Sequence, residues 1–312
     1  MRAARFHRFG PPDVLRIESI DPPRARGREL LVDVHAAALN PKDVLVRSGS
    51  RFVAASRPLL PLRVAEDFAG VVARSSDPEL PAGTRCFGML GYFRFGAAAE
   101  QVAVKRSEVA RMPEGLDFVQ AAALPLVGLT ALQALRDDAS TKPGERVMIH
   151  GASGGVGTVA IQIAKALGAH VTASCSAANH ALVRALGADE VIDYRDTPPH
   201  TLSARFDVFF DVFGNQPFAK ARAVLDARGR HVSTVPRPID FLWQARTFAT
   251  YPRTRVVVVR PRRADLDRLA RWVEEGKLRA VVDRVCSLDE VADAERYVES
   301  KRARGKVVLR VR

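Results

Sequence analysis

Gly151-Ala152-Ser153-Gly154-Gly155-Val156-Gly157 is the most informative stretch of this chain. It follows a strand-like run, Arg146-Val147-Met148-Ile149-His150, and opens an amphipathic run over residues 156–167. A glycine turn between strand and helix lets backbone N–H groups approach a pyrophosphate at the helix N-terminus, where the helix dipole favours negative charge. Ending at Gly157, the stretch departs from G-x-G-x-x-G at one place, where Ala152 stands for the first glycine. A glycine pattern by itself is a weak sign, because ordinary strand-to-helix turns also carry glycine. Here both flanks agree, and the turn is read as a dinucleotide site.

The run after the turn supports this. Val156, Val159, Ala160, Ile163, Ala164 and Leu167 recur at three- and four-residue steps, one apolar stripe that can pack on a sheet. Gly168 follows as a C-terminal cap, and residues 169–174 read as a second strand. Strand, helix and strand fit into about 30 residues, the size of one βαβ unit.

Outward from this unit, strands and helices alternate between residues 145 and 259, with further strands expected at 190–193, 206–212, 230–235 and 255–259. That alternation predicts a doubly wound parallel sheet covered by helices. Upstream, residues 1–118 read as β-rich, with short runs such as 30–35 and 70–73 separated by breaks at Pro11-Pro12, Pro22-Pro23 and Pro81-Ala82-Gly83. Residues 119–135 are rich in Ala and Leu and are expected to be helical, with an interruption near Pro125. The tail carries helical runs at 264–275 and 288–300 and closes with a strand at 306–311. No internal repeat or low-complexity tract is evident.

Bulk properties bound the class. A chain of 312 residues, 47% of them hydrophobic, suits about two globular domains with sizeable cores. It has no apolar run of about 18 residues, so no membrane-spanning helix and no membrane partner are expected. The start, Met1-Arg2-Ala3-Ala4-Arg5-Phe6, enters a strand-like segment directly and lacks a signal-peptide apolar region, so the cytoplasm is the expected location. Cys86, Cys175 and Cys286 lie far apart, without a C-x-x-C pair or a tight Cys/His cluster, which argues against structural zinc. The net charge of +13 is compatible with a nucleic-acid partner, but only eight of the 48 basic residues are lysine. The arginines are spread along the chain, with local density at 260–263 and 301–306, as in a general bias toward Arg. Dedicated nucleic-acid binding is therefore not expected, whereas a secondary, salt-sensitive affinity for polyanions is compatible with the charge.

Several further motifs occur in order. They are Asn40-Pro41-Lys42-Asp43 with Arg47-Ser48-Gly49, Glu66-Asp67-Phe68-Ala69-Gly70-Val71-Val72, and Ala123-Leu124-Pro125-Leu126-Val127-Gly128-Leu129-Thr130-Ala131-Leu132. After the Gly-rich turn come Leu186-Gly187-Ala188-Asp189-Glu190-Val191-Ile192-Asp193-Tyr194 and Gly305-Lys306-Val307-Val308-Leu309. Together they resemble the medium-chain dehydrogenase/reductase superfamily, in its zinc-independent quinone oxidoreductase (zeta-crystallin-like) branch, nearly end to end. The resemblance implies a GroES-like β-rich catalytic domain at 1–118 and 260–312. It implies a Rossmann NADP(H)-binding domain at 119–259, inserted between those two parts. It also implies hydride transfer from NADPH to a quinone or an activated C=C bond, and a homodimer. Zinc relatives use a cysteine near position 40 and a histidine near position 66. Asn40 and Glu66 stand there, so no metal is expected.

The end of the second strand reads Ser174-Cys175-Ser176-Ala177-Ala178-Asn179-His180, with no acid to repel a 2′-phosphate. Ser174 and Ser176 offer hydroxyls there, and Tyr194 at the next strand end adds another. NADPH is expected over NADH. Ala178 stands where relatives often carry Lys or Arg, so His180, Arg184 or Arg195 is left to meet the phosphate or simply to face solvent. The full set expected at the cofactor is Asn40, Thr130, Ser153, Gly154, Gly155, Val156, Ser174, Ser176, Tyr194, Val212, Thr234, Val235 and Lys306.

For catalysis the resemblance puts Asn40 near the nicotinamide ribose and the substrate; the alternative is a turn residue before Pro41. Asp43 reads as structural. Relatives often carry tyrosines where Val44, Leu45 and Phe52 stand here. Tyr92 is the candidate side-chain acid, with proton delivery by solvent as the leading expectation. Phe52, Phe87, Phe93 and Phe95 are candidates for an apolar substrate wall or for core packing. Cys86 reads as a buried small residue. The function expected is an NADPH-dependent, zinc-independent reductase of quinones or α,β-unsaturated carbonyl compounds. The alternatives are an enoyl-thioester reductase and an NADPH-binding nucleic-acid-binding or structural protein with little turnover.

Overall fold

The computed structural model describes residues 1–50, 60–91, 94–235 and 237–312. Its chain divides into two compact units, Met1–Leu126 with Arg260–Gly276 and Ala280–Arg312, and Val127–Val259 with Lys277–Arg279. None of the helices among the described residues is long and apolar enough to cross a membrane.

The second unit is built on a six-stranded parallel sheet. Its spatial order is Glu190–Asp193, His170–Cys175, Arg146–His150, Phe206–Asp211, Leu225–Ser233, Arg253–Val256. Strand order reverses between Arg146–His150 and Phe206–Asp211, and in open sheets of this kind ligands bind beyond the carboxyl ends of strands at such a reversal. The Gly-rich turn leaves His150 at that point. Its helix, Gly155–Ala166, buries Val159, Ala160, Ile161, Ile163 and Ala164. The expected stripe is therefore broader than the spacing alone predicts, because Ile161 is covered as well. Met148, Phe206, Phe209, Phe218, Ala221, Val224 and Leu225 form a core cluster on this sheet.

Element boundaries differ from expectation in small, explicable ways. The strand expected at 230–235 begins at Leu225, and the one expected at 255–259 is Arg253–Val256. The helical run at 119–135 resolves into Phe118–Ala122 and Pro125–Leu132, followed by a π-helical turn over Gln133–Asp138. Proline at the first position of the second helix lacks the N–H that would continue the first.

The first unit holds a seven-stranded sheet whose main path runs Val282–Ser287, Lys306–Arg310, Leu30–Leu39, Asp67–Arg74, Arg85–Met89, Val109–Arg111, with Gln101–Val104 also pairing to Leu30–Leu39. The C-terminal strand thus lies antiparallel to Leu30–Leu39, with Val308 opposite Ala38. A smaller sheet joins Arg16–Ser19, Arg2–Phe6 and Leu62–Arg63. Between these layers Phe6, Leu30, Val32, Phe68, Leu80 and Leu309 are fully buried. A short helix, Pro41–Arg47, interrupts the β-rich stretch; its seven residues are too few to register a helical period in the sequence.

Candidate active site

The left-handed glycine of the turn lies one residue before the first position of the aligned motif. Positive φ falls on Gly151, at +82°, not on Ala152, which is fully buried. Glycine therefore does occupy the left-handed position; it simply precedes the place where the pattern looks for it. The N–H groups of Gly151 and Ala152 both donate to the Ser174 carbonyl, at 3.1 and 3.1 Å, which locks the turn to the neighbouring strand. A Cβ on Gly157 would lie 2.3 Å from the Gly151 oxygen, so the helix packs against the turn only with glycine there. Gly154 is different: a Cβ would meet nothing nearer than the Gly151 oxygen, at 3.6 Å. Internal packing does not require glycine at Gly154. It stands at the helix N-cap, where the first backbone donors have no intrahelical acceptor. An open backbone at a helix N-terminus fits the pyrophosphate of a dinucleotide.

Around the turn, the carboxyl ends of the strands are tied by side chains. Asn179 Nδ2 donates to Ser153 Oγ at 3.0 Å and to Ser176 Oγ at 3.3 Å, joining the turn to the loop after the second strand. Ser174, expected at the cofactor, lies on the strand beside His150. It is fully buried, and its Oγ lies 3.2 Å from His150 Nδ1. His150 Nε2 lies 2.7 Å from Asn215 Oδ1. Burial lowers the His150 pKa, while Asp211 and the bond to Asn215 raise it. A neutral ring that donates from Nε2 and accepts the Ser174 hydroxyl satisfies both contacts. Asp211 accepts the N–H groups of Gly214 and Gln216 at 2.8 and 2.7 Å, fixing the loop that carries Asn215.

Tyr194 and Phe213 meet the His150 ring edge-on, with centroids 6.1 and 6.3 Å away, and stand 41% and 50% exposed. Val212 donates its N–H to the His150 carbonyl at 3.0 Å and accepts the Thr234 hydroxyl at 2.8 Å. Val235 follows, 39% exposed. Val212, Thr234 and Val235 therefore gather just beyond the ends of their strands. Thr130 lies buried on Pro125–Leu132.

One acid escapes a reading of residues 174–180 alone. The parallel register sets Asp193 beside Cys175. Its carboxylate accepts the N–H groups of Ala177 and Arg195, at 2.8 and 2.9 Å, and the bond from Arg195 leads in holding its pKa below the usual range. Residues 174–180 hold no acid, as their sequence reads, but the neighbouring strand brings this negative charge beside their strand end. The Arg195 guanidinium lies over the Tyr194 ring, 5.8 Å from its centroid.

In the first unit, Asn40 caps the helix Pro41–Arg47 only through its backbone, whose N–H donates to Asp43 Oδ2 at 2.8 Å. The Asn40 carboxamide is buried. Nδ2 donates to Asp67 Oδ2 at 3.0 Å, and Oδ1 accepts from Lys306 Nζ. Lys306 also reaches Asp67 Oδ2 at 3.0 Å. Asn40 and Lys306, both expected at the cofactor, thus use their polar atoms on each other and on Asp67. Asp67 Oδ1 accepts the Leu126 N–H at 2.7 Å. Asp43 serves the backbone, accepting the Ala65 N–H at 2.9 Å as well. Burial raises the Asp43 pKa to about 6 and that of Glu66 to about 8, the latter opposed by Lys42, whose Nζ lies 2.6 Å from Glu66 Oε1.

Tyr92, Phe52 and Phe93 lie outside the described residues. Phe87 is fully buried in its strand and belongs to the interior, while Phe95 packs at the edge of the core. Cys86 is buried, and burial pushes its thiol pKa up. Among the described residues, no three His, Cys, Asp or Glu side chains are grouped to hold a metal ion.

The parallel sheet with its strand reversal and open helix N-terminus defines a Rossmann-type nucleotide-binding unit, joined in one chain to a β-rich unit. Known families agree. Residues 26–114 match the alcohol dehydrogenase GroES-like domain, and residues 186–309 match the zinc-binding dehydrogenase family. The chain is 34% identical to the quinone oxidoreductase from Coxiella burnetii, covering 100% of this chain and 99% of that one with a TM-score of 0.91. It is 35% identical to the 2-methylene-furan-3-one reductase of Solanum lycopersicum, over 99% of this chain and 79% of that protein. The quinone oxidoreductase of Escherichia coli complexed with NADPH is 26% identical, with a TM-score of 0.81 and full coverage of both chains (100% and 100%). The chain belongs to the medium-chain dehydrogenase/reductase superfamily, in its zinc-independent quinone oxidoreductase branch. Its fold pairs a GroES-like domain with a Rossmann domain.

Proposed function

We propose that the protein is an NADPH-dependent reductase of quinones or α,β-unsaturated carbonyl compounds. The observation that carries the reading is the open backbone at Gly154, where packing leaves room that a side chain would fill. The backbone N–H groups of Gly155 and Val156 would receive the pyrophosphate, beside Gly154, whose own N–H donates to the Gly151 carbonyl at 3.2 Å, with Ser153 at the turn and Ser176 toward the adenosine ribose. Tyr194 and Phe213, both exposed and in ring contact with His150, offer flat apolar surface for the adenine. When bound, the reduced dinucleotide supplies a hydride to the acceptor carbon. The chain's own task is to hold reactants in near-attack geometry, to exclude water and to deliver a proton. The E. coli quinone oxidoreductase crystallised with NADPH and the tomato reductase support this reading.

The cofactor preference rests on Ser176, Tyr194 and Arg195, which offer hydroxyls and a cation to a 2′-phosphate. Asp193 favours the second reading, NADH, because a carboxylate at this strand end suits free ribose hydroxyls. Two N–H donors already occupy the Asp193 oxygens and offset its charge, so NADPH is kept. Equilibrium titration separates the two. NADPH is expected to bind about tenfold tighter than NADH, the effect of about one charge-assisted contact. Tighter NADH binding overturns the preference for NADPH.

A further inference from the structure

We propose that Asn179 is a positioning residue for the cofactor: its carboxamide nitrogen holds the Ser153 and Ser176 hydroxyls as hydrogen donors toward the phosphates of the dinucleotide. The proposal rests on the function above, and every residue it uses lies within the unit Val127–Val259.

Ser153 stands one residue before the helix N-cap Gly154, and Ser176 directly follows the strand His170–Cys175. Asn179 joins these two loops, with Nδ2 3.0 Å from Ser153 Oγ and 3.3 Å from Ser176 Oγ. The direction of the two bonds decides what the serines can offer. A carboxamide nitrogen donates and does not accept, so both hydroxyl oxygens act here as acceptors. Each hydroxyl has a single hydrogen. Neither hydroxyl has another hydrogen-bond partner among the described residues. Both hydrogens therefore stay available to a ligand. An ionised phosphate needs donors of this kind, because its oxygens accept. Ser153 would give its hydrogen to the pyrophosphate and Ser176 to the 2′-phosphate. Residues 176–179 carry no cation, so on this turn a 2′-phosphate meets only neutral donors.

Asn179 is itself held in place. Its backbone N–H donates to the Ser176 carbonyl at 2.9 Å, closing the turn Ala177–Asn179. The Ala177 N–H donates to Asp193 Oδ2 at 2.8 Å, tying the same turn to the neighbouring strand. The far side of the carboxamide is different: Oδ1 is buried and has no hydrogen-bond partner. One unpaired buried acceptor costs about as much stability as two neutral hydrogen bonds return, so the fold gains little from this side chain. A polar group left unpaired in this way calls for a role besides folding. Reversing the amide would leave two N–H hydrogens unpaired instead of one oxygen. It would also draw both serine hydrogens onto Oδ1, away from a ligand.

The test titrates NADPH and NADH into wild type, Asn179→Ala, Asn179→Asp, the double variant Ser153→Ala with Ser176→Ala, and that double variant carrying Asn179→Ala. Asn179→Ala is expected to keep the melting temperature and to weaken NADPH binding about tenfold and NADH binding about threefold, since only NADPH uses both hydroxyls on phosphate. Asn179→Asp accepts from both hydroxyls and adds a negative charge, so NADPH binding is expected to fall about 100-fold. Without the serine hydroxyls, Asn179→Ala is expected to change NADPH affinity by less than about twofold, because Asn179 acts through them. NADPH affinity unchanged in Asn179→Ala or Asn179→Asp overturns the proposal. So does an equal loss for both cofactors with a lower melting temperature, the mark of a merely structural role. A full loss that persists without the serine hydroxyls overturns it too. Binding of neither cofactor by the wild type overturns the underlying function as well.

Discussion

Replacing Arg47 with methionine is expected to destabilise the first unit by about 3–5 kcal/mol, the usual cost of removing one partner from a buried ion pair. Arg47 is fully buried. Its Nε donates to Glu295 Oε2 at 2.5 Å, its Nη2 to Glu299 Oε2 at 2.9 Å, and its Nη1 to the Gly10 carbonyl. It thereby ties the N-terminal segment, the helix Pro41–Arg47 and the helix Val291–Glu299 together. Methionine fills similar space but leaves Glu295 buried without its cation. Burial already lifts Glu295 from its ordinary 4.5 to about 7, with Arg47 opposing the rise. An acid whose folded pKa is raised contributes stability that is complete below its unfolded pKa and is lost as pH rises through the folded one. Without Arg47 the folded value rises further, so the deficit should be larger at about pH 8 than at about pH 5. Urea denaturation at the two pH values measures this. Equal midpoints for variant and wild type at both would contradict the role given to Arg47.

Gly154→Val should leave the fold intact and abolish most cofactor affinity. A Cβ at Gly154 meets only ordinary contact, at 3.6 Å, and the residue's φ of −80° and ψ of 177° suit any side chain. Little change in melting temperature is therefore expected. The branched side chain would instead occupy the space left for the pyrophosphate and hold it off the backbone donors. A hydrogen bond to a charged group is worth about 1.5–3 kcal/mol, so losing one or two should weaken NADPH binding about 100-fold or more. Gly157→Val is the contrasting variant. Its Cβ would fall 2.3 Å from backbone, so instability and lost binding should come together. Unchanged NADPH affinity in a folded Gly154→Val protein would remove the turn from the cofactor site.

What the sequence made legible follows from local periodicity. The strand Arg146–His150 has the bounds expected of it, and the helix after the turn differs by one residue at each end. Both carry their signal in adjacent residues. The site's side-chain pairings do not. Asn40 meets Asp67 27 residues away and Lys306 266 residues away, and no spacing rule links them. His150 and Asn215, 65 residues apart, meet because parallel strands bring their carboxyl ends to one edge. Asp193 reaches the second strand's end for the same reason: it lies on the neighbouring strand and stands beside Cys175 by parallel register, not by proximity in sequence. Asn179 lay in view, but its bond to Ser153 depends on how the loop folds back. Ser174 is fully buried, a placement that a strand buried on both faces does not betray in its residue types.

The most direct test of the account follows the hydride. The protein is given NADPH deuterated at nicotinamide C4, one stereoisomer at a time, with an α,β-unsaturated ketone, and the product is analysed by mass and NMR. The account predicts a saturated ketone formed mole for mole with NADP+, with deuterium on the β-carbon from one stereoisomer only. Deuterium absent from the product with both stereoisomers, or a carbonyl reduced to an alcohol with the C=C bond intact, would contradict it.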